Sequence, residues 1–425
     1  SIPVEALVMT MQDNQKYFAL FDQQGALLPN FITISNIDSK QPEMVAKGNE
    51  RVIRPRFADA RFFFEQDQKQ PLLQRSELLD KVVFQNKLGS VGDKSRRIAK
   101  LAVSIAKQMG ADEVQVERAA QLCKCDLMTE MVGEFPKLQG LMGRYYAEFD
   151  HEPKAVSDAV EQHYWPKFSG DQLPSNDVAQ CVALADRLDS LVGIFGIGQK
   201  PSGVKDPFAL RRAALSVVRI LIEKDLPLNL MPLINKAFEA LSDKFEAGSV
   251  ADDVSDYIFD RLRAYYQEQG IGFDIVDAVI STKPEILNDC DQRVQAVNQF
   301  QKNDAALALA AANKRIANIL KKQGADKGLT KGSVTINERL FEATAEKQLF
   351  QQLVGLQGKV DSLFVEGEYL QGLNELASLR PVVDQFFDEV MVMVEDPAVK
   401  ANRLALLSRL LSCFRQVADF SKIQS

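Results

Sequence analysis

Cys123, Lys124, Cys125 and Asp126 stand together in the run LCKCDLMTEMVGEFPKLQG. Two thiols and a carboxylate this close could begin a metal site, because zinc takes four ligands, often as paired Cys/His clusters. The rest of such a site is missing from the sequence. The surrounding periodicity predicts a helix here, on which residues two apart face different directions. No second C-x-x-C and no H-x-x-x-H exists, and His151 and His163 are the only histidines. On ligand count, Cys123 and Cys125 read as buried helix cysteines. GSVGDKS at 89–95 and GIFGIGQKPSG at 193–203 imitate phosphate loops, but their glycine spacing is wrong, so they read as turns. Three basic clusters remain. They are Lys94, Arg96 and Arg97; Arg144 with Tyr145 and Tyr146; and Lys205 with Arg211 and Arg212. Cations with neighbouring aromatics suit RNA, where phosphates and unstacked bases are both exposed. Each cluster also reads as an ordinary solvated face, and the two tyrosines equally as core.

The elements that must carry these residues are mostly helical. The chain has 425 residues, 46% of them hydrophobic and 26% charged, which suits a globular protein of several domains. No apolar run approaches the roughly 20 residues that span a bilayer. Five scattered cysteines fit a reducing cytoplasm. A net charge of −7 does not advertise nucleic-acid binding, though a local basic face is compatible with it. The chain opens on Ser1, Ile2 and Pro3 and runs into apolar stretches, as expected of a piece of a longer protein. VEALVMTM, YFALFD and NFITISNI read as β, with a turn at Gly25 and Pro29. From about residue 41 the pattern is helical. Phe62, Phe63 and Phe64 read as core. In KSRRIAKLAVSIAKQMG, Ile98, Leu101, Ala102 and Ile105 form one apolar face, Lys94, Arg96, Arg97, Lys100 and Lys107 the opposite one, and Gly110 the stop. Helices continue to the C-terminus. A basic stretch at 313–332 reads as a helix end and an exposed loop.

EQHYWPKFSGDQLP follows CKCD, and VALADRLDSLVG follows that. This order resembles the HD-domain superfamily of metal-dependent phosphohydrolases. The resemblance sets Cys125 where a ligand histidine stands, Asp126 at its paired aspartate, His163 at a later histidine and Asp186 at the last aspartate. With Cys125 in place of histidine, and none in 76–122, the HD-like region is expected to be degenerate, without bound metal or hydrolysis.

Longer strings carry a more specific resemblance. GNERVIRPRFADARFFFEQD, CDLMTEMVGEFPKLQGLMGRYYA, LADRLDSLVGIFGIGQKPSGVKDPFALRRAAL and FFDEVMVMVEDPAVKANRLALLSRL are similar to the β-subunit family of heterotetrameric bacterial glycyl-tRNA synthetases. The last is similar to DALR-type anticodon-binding domains. The resemblance implies a mainly α, multidomain helical protein. Its expected parts are an α+β segment at 1–75, a degenerate HD-like domain at 76–215, a helical body at 216–310 and a DALR-like domain at 311–425. It implies a cytoplasmic glycine–tRNA ligase subunit that binds glycine tRNA, an α subunit and a second β subunit in an α2β2 assembly, with no membrane or DNA partner. ATP and Mg would be used by the α subunit. No HIGH or KMSKS signature is present, so this chain alone is not expected to be catalytic. Glycine offers little side chain to recognise, and its anticodons end in two cytosines, so specificity can rest on the RNA. On the anticodon side, Asn402 and Arg403 are candidates for base edges and Lys400 and Arg409 for phosphates. The alternative for Arg403 is an ion pair within the bundle. On the acceptor and body side the candidates are Lys94, Arg96, Arg97, Arg144, Lys205, Arg211 and Arg212. Two other readings stay open: an active HD-type phosphohydrolase, and a helical scaffold for the α subunit without RNA recognition.

Overall fold

The computed structural model describes residues 2–36, 38–245, 248–323 and 335–424. They form two compact units. One comprises residues 1–220 with 232–254, the other 221–231 with 255–425. The expected divisions at 75 and 310 lie inside these units. Helices dominate both, and the described strands form only a pair of two-stranded sheets.

The first unit begins with α1 (Val4–Met9), continued by a wider π turn at Thr10–Asn14. This corrects the expected strand over VEALVMTM. Short apolar runs are ambiguous between helix and strand. Here Pro3 before the first turn and Glu5 within it are helix-start signals. The expected strand in YFALFD follows as β1 (Phe18–Phe21), while the second, β2 (Leu27–Ile32), starts earlier than NFITISNI and takes in Pro29, which was expected in the turn; the two pair antiparallel. Asp22 accepts from the N–H groups of Gln24 and Ala26, and Gly25 takes the positive φ of the turn. Next comes α2 (Pro42–Asp67), on which Phe64 is buried but Phe62 is exposed. A run of 3-10 turns at Leu72–Lys81 leads to β3 (Val83–Gln85) and β4 (Gly89–Ser90).

The helical core of the first unit is built from α3 (Val91–Met109), α4 (Glu113–Leu122), α5 (Glu130–Glu134), α6 (Leu141–Phe149), α7 (Lys154–Gln162) and α8 (Asp177–Gly196), the region expected to be HD-like. Ser90 and Asp93 form a capping box at the start of α3, and Gly110 ends it in the left-handed region. The predicted face of Ile98, Leu101, Ala102 and Ile105 is buried against α4 and α8. Apolar almost all round, α8 runs through the interior. After it comes α9 (Leu210–Glu223).

Further along lie α10 (Leu230–Glu239), α11 (Val250–Glu268), α12 (Phe273–Ile280), α13 (Leu287–Phe300) and α14 (Asp304–Lys322). The basic stretch at 313–332 therefore starts on α14, and its expected loop lies largely outside the described residues. In the second unit, α15 (Thr344–Val365), α16 (Tyr369–Ala377), α17 (Arg380–Glu389) and α18 (Pro397–Arg415) complete a bundle. Its core includes Leu349, Leu353, Phe386, Leu406, Leu410 and Phe414.

Candidate functional site

The predicted helix through CKCD stops at Leu122. Cys123 caps α4, and Cys125–Met128 forms a separate 3-10 turn. That break turns Lys124 inward. Its Nζ lies 3.0 Å from Asp186 Oδ2, 2.8 Å from His163 Nε2 and 4.1 Å from the centre of the Tyr164 ring. Two acceptors and a π face meet the three donors of an ammonium. His163 sits at the end of α7, with Nδ1 2.8 Å from the Val160 carbonyl. This network fits the neutral tautomer that donates from Nδ1 and accepts at Nε2 from Lys124. Burial, then the adjacent Lys124 charge, drives the His163 pKa well below its usual value.

Asp186 is the hub. Lys94 Nζ approaches its Oδ1 at 2.9 Å, and also reaches Asp189 at 3.1 Å and Ser190 Oγ at 2.7 Å. Burial alone would raise the Asp186 pKa, but Lys124 and Lys94 outweigh it and hold the carboxyl well below the normal range. Arg97 closes the cluster, gripping both Asp189 oxygens through Nε at 2.6 Å and Nη2 at 3.2 Å. Lys94 and Arg97 are thus buried and paired with acids, a correction to the expected solvent face. Buried against these acids, neither is presented to an RNA phosphate.

The four HD positions do not converge. Only His163 and Asp186 face a common point, and the Lys124 ammonium occupies it. Asp126 turns instead to the N-terminus of α6, where it accepts from the N–H of Gly140. Burial raises its pKa to about 6, partly offset by the Gly140 bond. The Cys125 thiol donates to the Gln121 carbonyl, and burial pushes its pKa far up, away from the thiolate a metal needs. Among the described residues no three His, Cys, Asp or Glu side chains are placed to hold a metal ion. An HD-type metal centre therefore does not fit this donor set. Lys124 and Asp189 were missed by ligand-counting. Their signals were a lysine between the two cysteines and an acid three residues after Asp186.

The remaining acceptor-side candidates differ in accessibility. Arg96 is exposed and shared by Asp80 and Asp93, each at 2.8 Å. Arg144 is drawn to Glu161 at 2.6 Å and Glu148 at 3.1 Å. Its neighbour Tyr146 is buried, donating to Asp67, while Tyr145 donates to Glu5. Lys205 is exposed, Arg211 binds the Gly203 carbonyl, and Arg212 is exposed near the start of α9. On the anticodon side, Asn402 is buried and exchanges hydrogen bonds with the backbone of Asn337. Arg403, 4% exposed, donates to Glu346, Glu342 and the Met391 carbonyl. Lys400 is half-buried without an ion pair among the described residues, and Arg409 reaches Gln357.

Comparison with known proteins gives this geometry a context. The family described as Glycyl-tRNA synthetase beta subunit matches residues 1–281. The chain belongs to the glycyl-tRNA synthetase β-subunit family. The family described as DALR anticodon binding domain matches residues 309–423, the region holding Arg403 and its partners. Over 424 residues the chain is 51% identical to the glycine–tRNA ligase beta subunit of Tolumonas auensis. It is 50% identical to that of Pseudoalteromonas translucida and 49% to that of Haemophilus influenzae. Each alignment covers 100% of this chain and 61% of the relative, so the chain spans about three fifths of their length.

Within this β-subunit family member, Asn402 and Arg403 are interior residues of the DALR-matched region rather than presented base readers. The structure realises the alternative for Arg403, an ion pair inside the bundle. Among the described residues, no helix is long and apolar enough to cross a membrane.

Proposed function

We propose that this chain is the tRNA-binding part of a glycine–tRNA ligase β subunit, recognising glycine tRNA for charging by a partner α subunit. The observation that carries this reading is the pair of family matches, β subunit followed by anticodon-binding domain. The metal position filled by Lys124 supports a binding role for the HD-like region over a hydrolytic one. ATP and Mg then belong to the α subunit, and the assembly is an α2β2 heterotetramer in the cytoplasm. In this reading Lys400 and Arg409 meet anticodon-arm phosphates. Lys205, Arg211, Arg212 and Arg96 meet the acceptor arm and body, each exposed phosphate contact adding about one unit of salt slope.

The test is binding of the full chain to glycine tRNA at physiological salt. The comparisons are the same tRNA with both anticodon cytosines changed, and an unrelated tRNA. Binding lost on the anticodon change supports the reading. Equal, weak, steeply salt-dependent binding to all three would remove specific recognition from this chain and favour a scaffold for the α subunit.

A further inference from the structure

Beside Asp186, and open to solvent, lies a cavity of about 780 Å³. Its wall includes Lys137, Lys167, Arg187 and Arg212, with Tyr164 and Phe208 as aromatic surfaces. Asp186 is the one carboxylate lining it, and Lys94 and Lys124 already answer that charge. The remaining wall is strongly positive in a chain of net charge −7.

The four cations are not equally engaged. Arg187 is fixed as part of the wall, donating to the carbonyls of His163 at 2.9 Å and Tyr164 at 2.8 Å. Lys137 pairs with Asp13 at 2.8 Å but stays largely exposed. Arg212 donates one N–H to the Lys167 carbonyl at 3.3 Å, and its other donors have no partner among the described residues. Lys167 is exposed, and its Nζ has no ion pair among the described residues. Arg187 also approaches Asp186 Oδ2 at 3.5 Å, so its charge is answered in part, while Arg212 lines the same cavity without a carboxylate partner among the described residues. Lys137, Lys167 and Arg212 are thus the cations that an entering anion would meet, in a wall whose summed positive charge favours one.

Size and shape narrow the class of anion. A pocket in the range of roughly 300–1,000 Å³ suits a small organic ligand. A guanidinium fork and exposed ammonium groups suit a phosphate with several free oxygens, and the rings suit a base or ribose. An open-sided cavity admits a chain end more readily than a duplex. We propose that this cavity is a phosphate-monoester site, taking the terminal nucleotide of an RNA chain or a free nucleoside monophosphate. The RNA source rests on the tRNA-binding reading; the free nucleotide does not. With an ammonium fixed beside the cavity, the site holds the ester and offers no metal-bound hydroxide to cleave it.

The experiment uses the full chain and one RNA hairpin prepared with either a 5′-monophosphate or a 5′-hydroxyl. Binding is followed by fluorescence anisotropy at physiological salt, with GMP titrated separately by calorimetry. The Lys167→Ala/Arg212→Ala double variant is compared with wild type, and circular dichroism checks its fold. The expected result is roughly tenfold or more tighter binding of the phosphorylated hairpin, abolished in the double variant. Without measurable GMP affinity, that result assigns the site to an RNA end. GMP binding that the double variant loses, with no preference between hairpins, assigns it to a free nucleotide. Equal binding of both hairpins with no GMP affinity overturns the proposal, while anticodon-dependent tRNA binding would still stand. Unchanged binding in the double variant also overturns it.

Discussion

At the scale of single residues, Lys124 and Arg403 follow one physical rule: a buried charge must be matched. Lys124 pairs with Asp186 and meets His163 Nε2 in the interior of the first unit. Lys124→Met leaves Asp186 with less compensation and His163 Nε2 without its donor. We expect a loss of about 3 kcal/mol in unfolding free energy by urea titration. The accompanying signature is a rise in the His163 pKa by NMR, because one of the two leading causes of its depression is gone. Arg403 neutralises Glu346, which is fully buried. Burial acts to raise the Glu346 pKa, but Arg403 and the N–H groups of Ala343 and Glu342 hold it below normal. Arg403→Ala should therefore cost about 3–5 kcal/mol of stability, read by thermal or urea unfolding. If Arg403→Ala left stability unchanged and abolished RNA binding, a direct reading role would be restored.

At the scale of elements, the ends of helices decide where side chains arrive. The stop of α4 at Leu122 and the 3-10 turn after it bring Lys124 inward and send Asp126 to the start of α6. Gly140 makes the second half of that junction. It has φ of 82°, and a Cβ there would lie 2.7 Å from Tyr164 Cδ2. Gly140→Ala combines left-handed strain with that clash, for an expected loss of about 1–3 kcal/mol. Gly110→Ala is the control, since Gly110 also has positive φ but a Cβ there would meet nothing within 4 Å. Differential scanning calorimetry should show the Gly140 variant melting well below the Gly110 variant. Equal melting temperatures would mean Tyr164 moves aside freely.

At the scale of the whole molecule, the buried titrating groups oppose one another. His163 is depressed, so its contribution to stability is full above its unfolded pKa of about 6.5 and is lost as pH falls towards its folded value. Asp126 is raised, so its contribution is full below about 4 and is lost as pH rises through about 6. Between pH 7 and pH 4 the two slopes offset each other. Asp126→Asn keeps an acceptor for Gly140 and removes the second slope. Its stability should fall more steeply than wild type over that window, by up to about 3 kcal/mol in urea titrations at pH 7 and pH 4. Parallel pH profiles would show that Asp126 is not protonating in this range. The helical class, the α3 apolar face, its Gly110 stop, the β1–β2 hairpin and the family were all legible along the chain, because these rest on periodicity, local turn chemistry and long matching strings. So was the lack of a histidine at Cys125, where the HD resemblance sets one, since that is visible in one dimension. What meets His163 and Asp186 was settled only by packing in three dimensions. Lys94, Arg97, Asn402 and Arg403 have the composition of an exposed basic surface, and their burial depends on acids or carbonyls distant in the chain: Asp186 and Asp189 for the first two, Asn337 and Glu346 for the others. A charge pattern along one helix cannot reveal a countercharge on another, and so cannot separate a cation that faces water from one that holds the core.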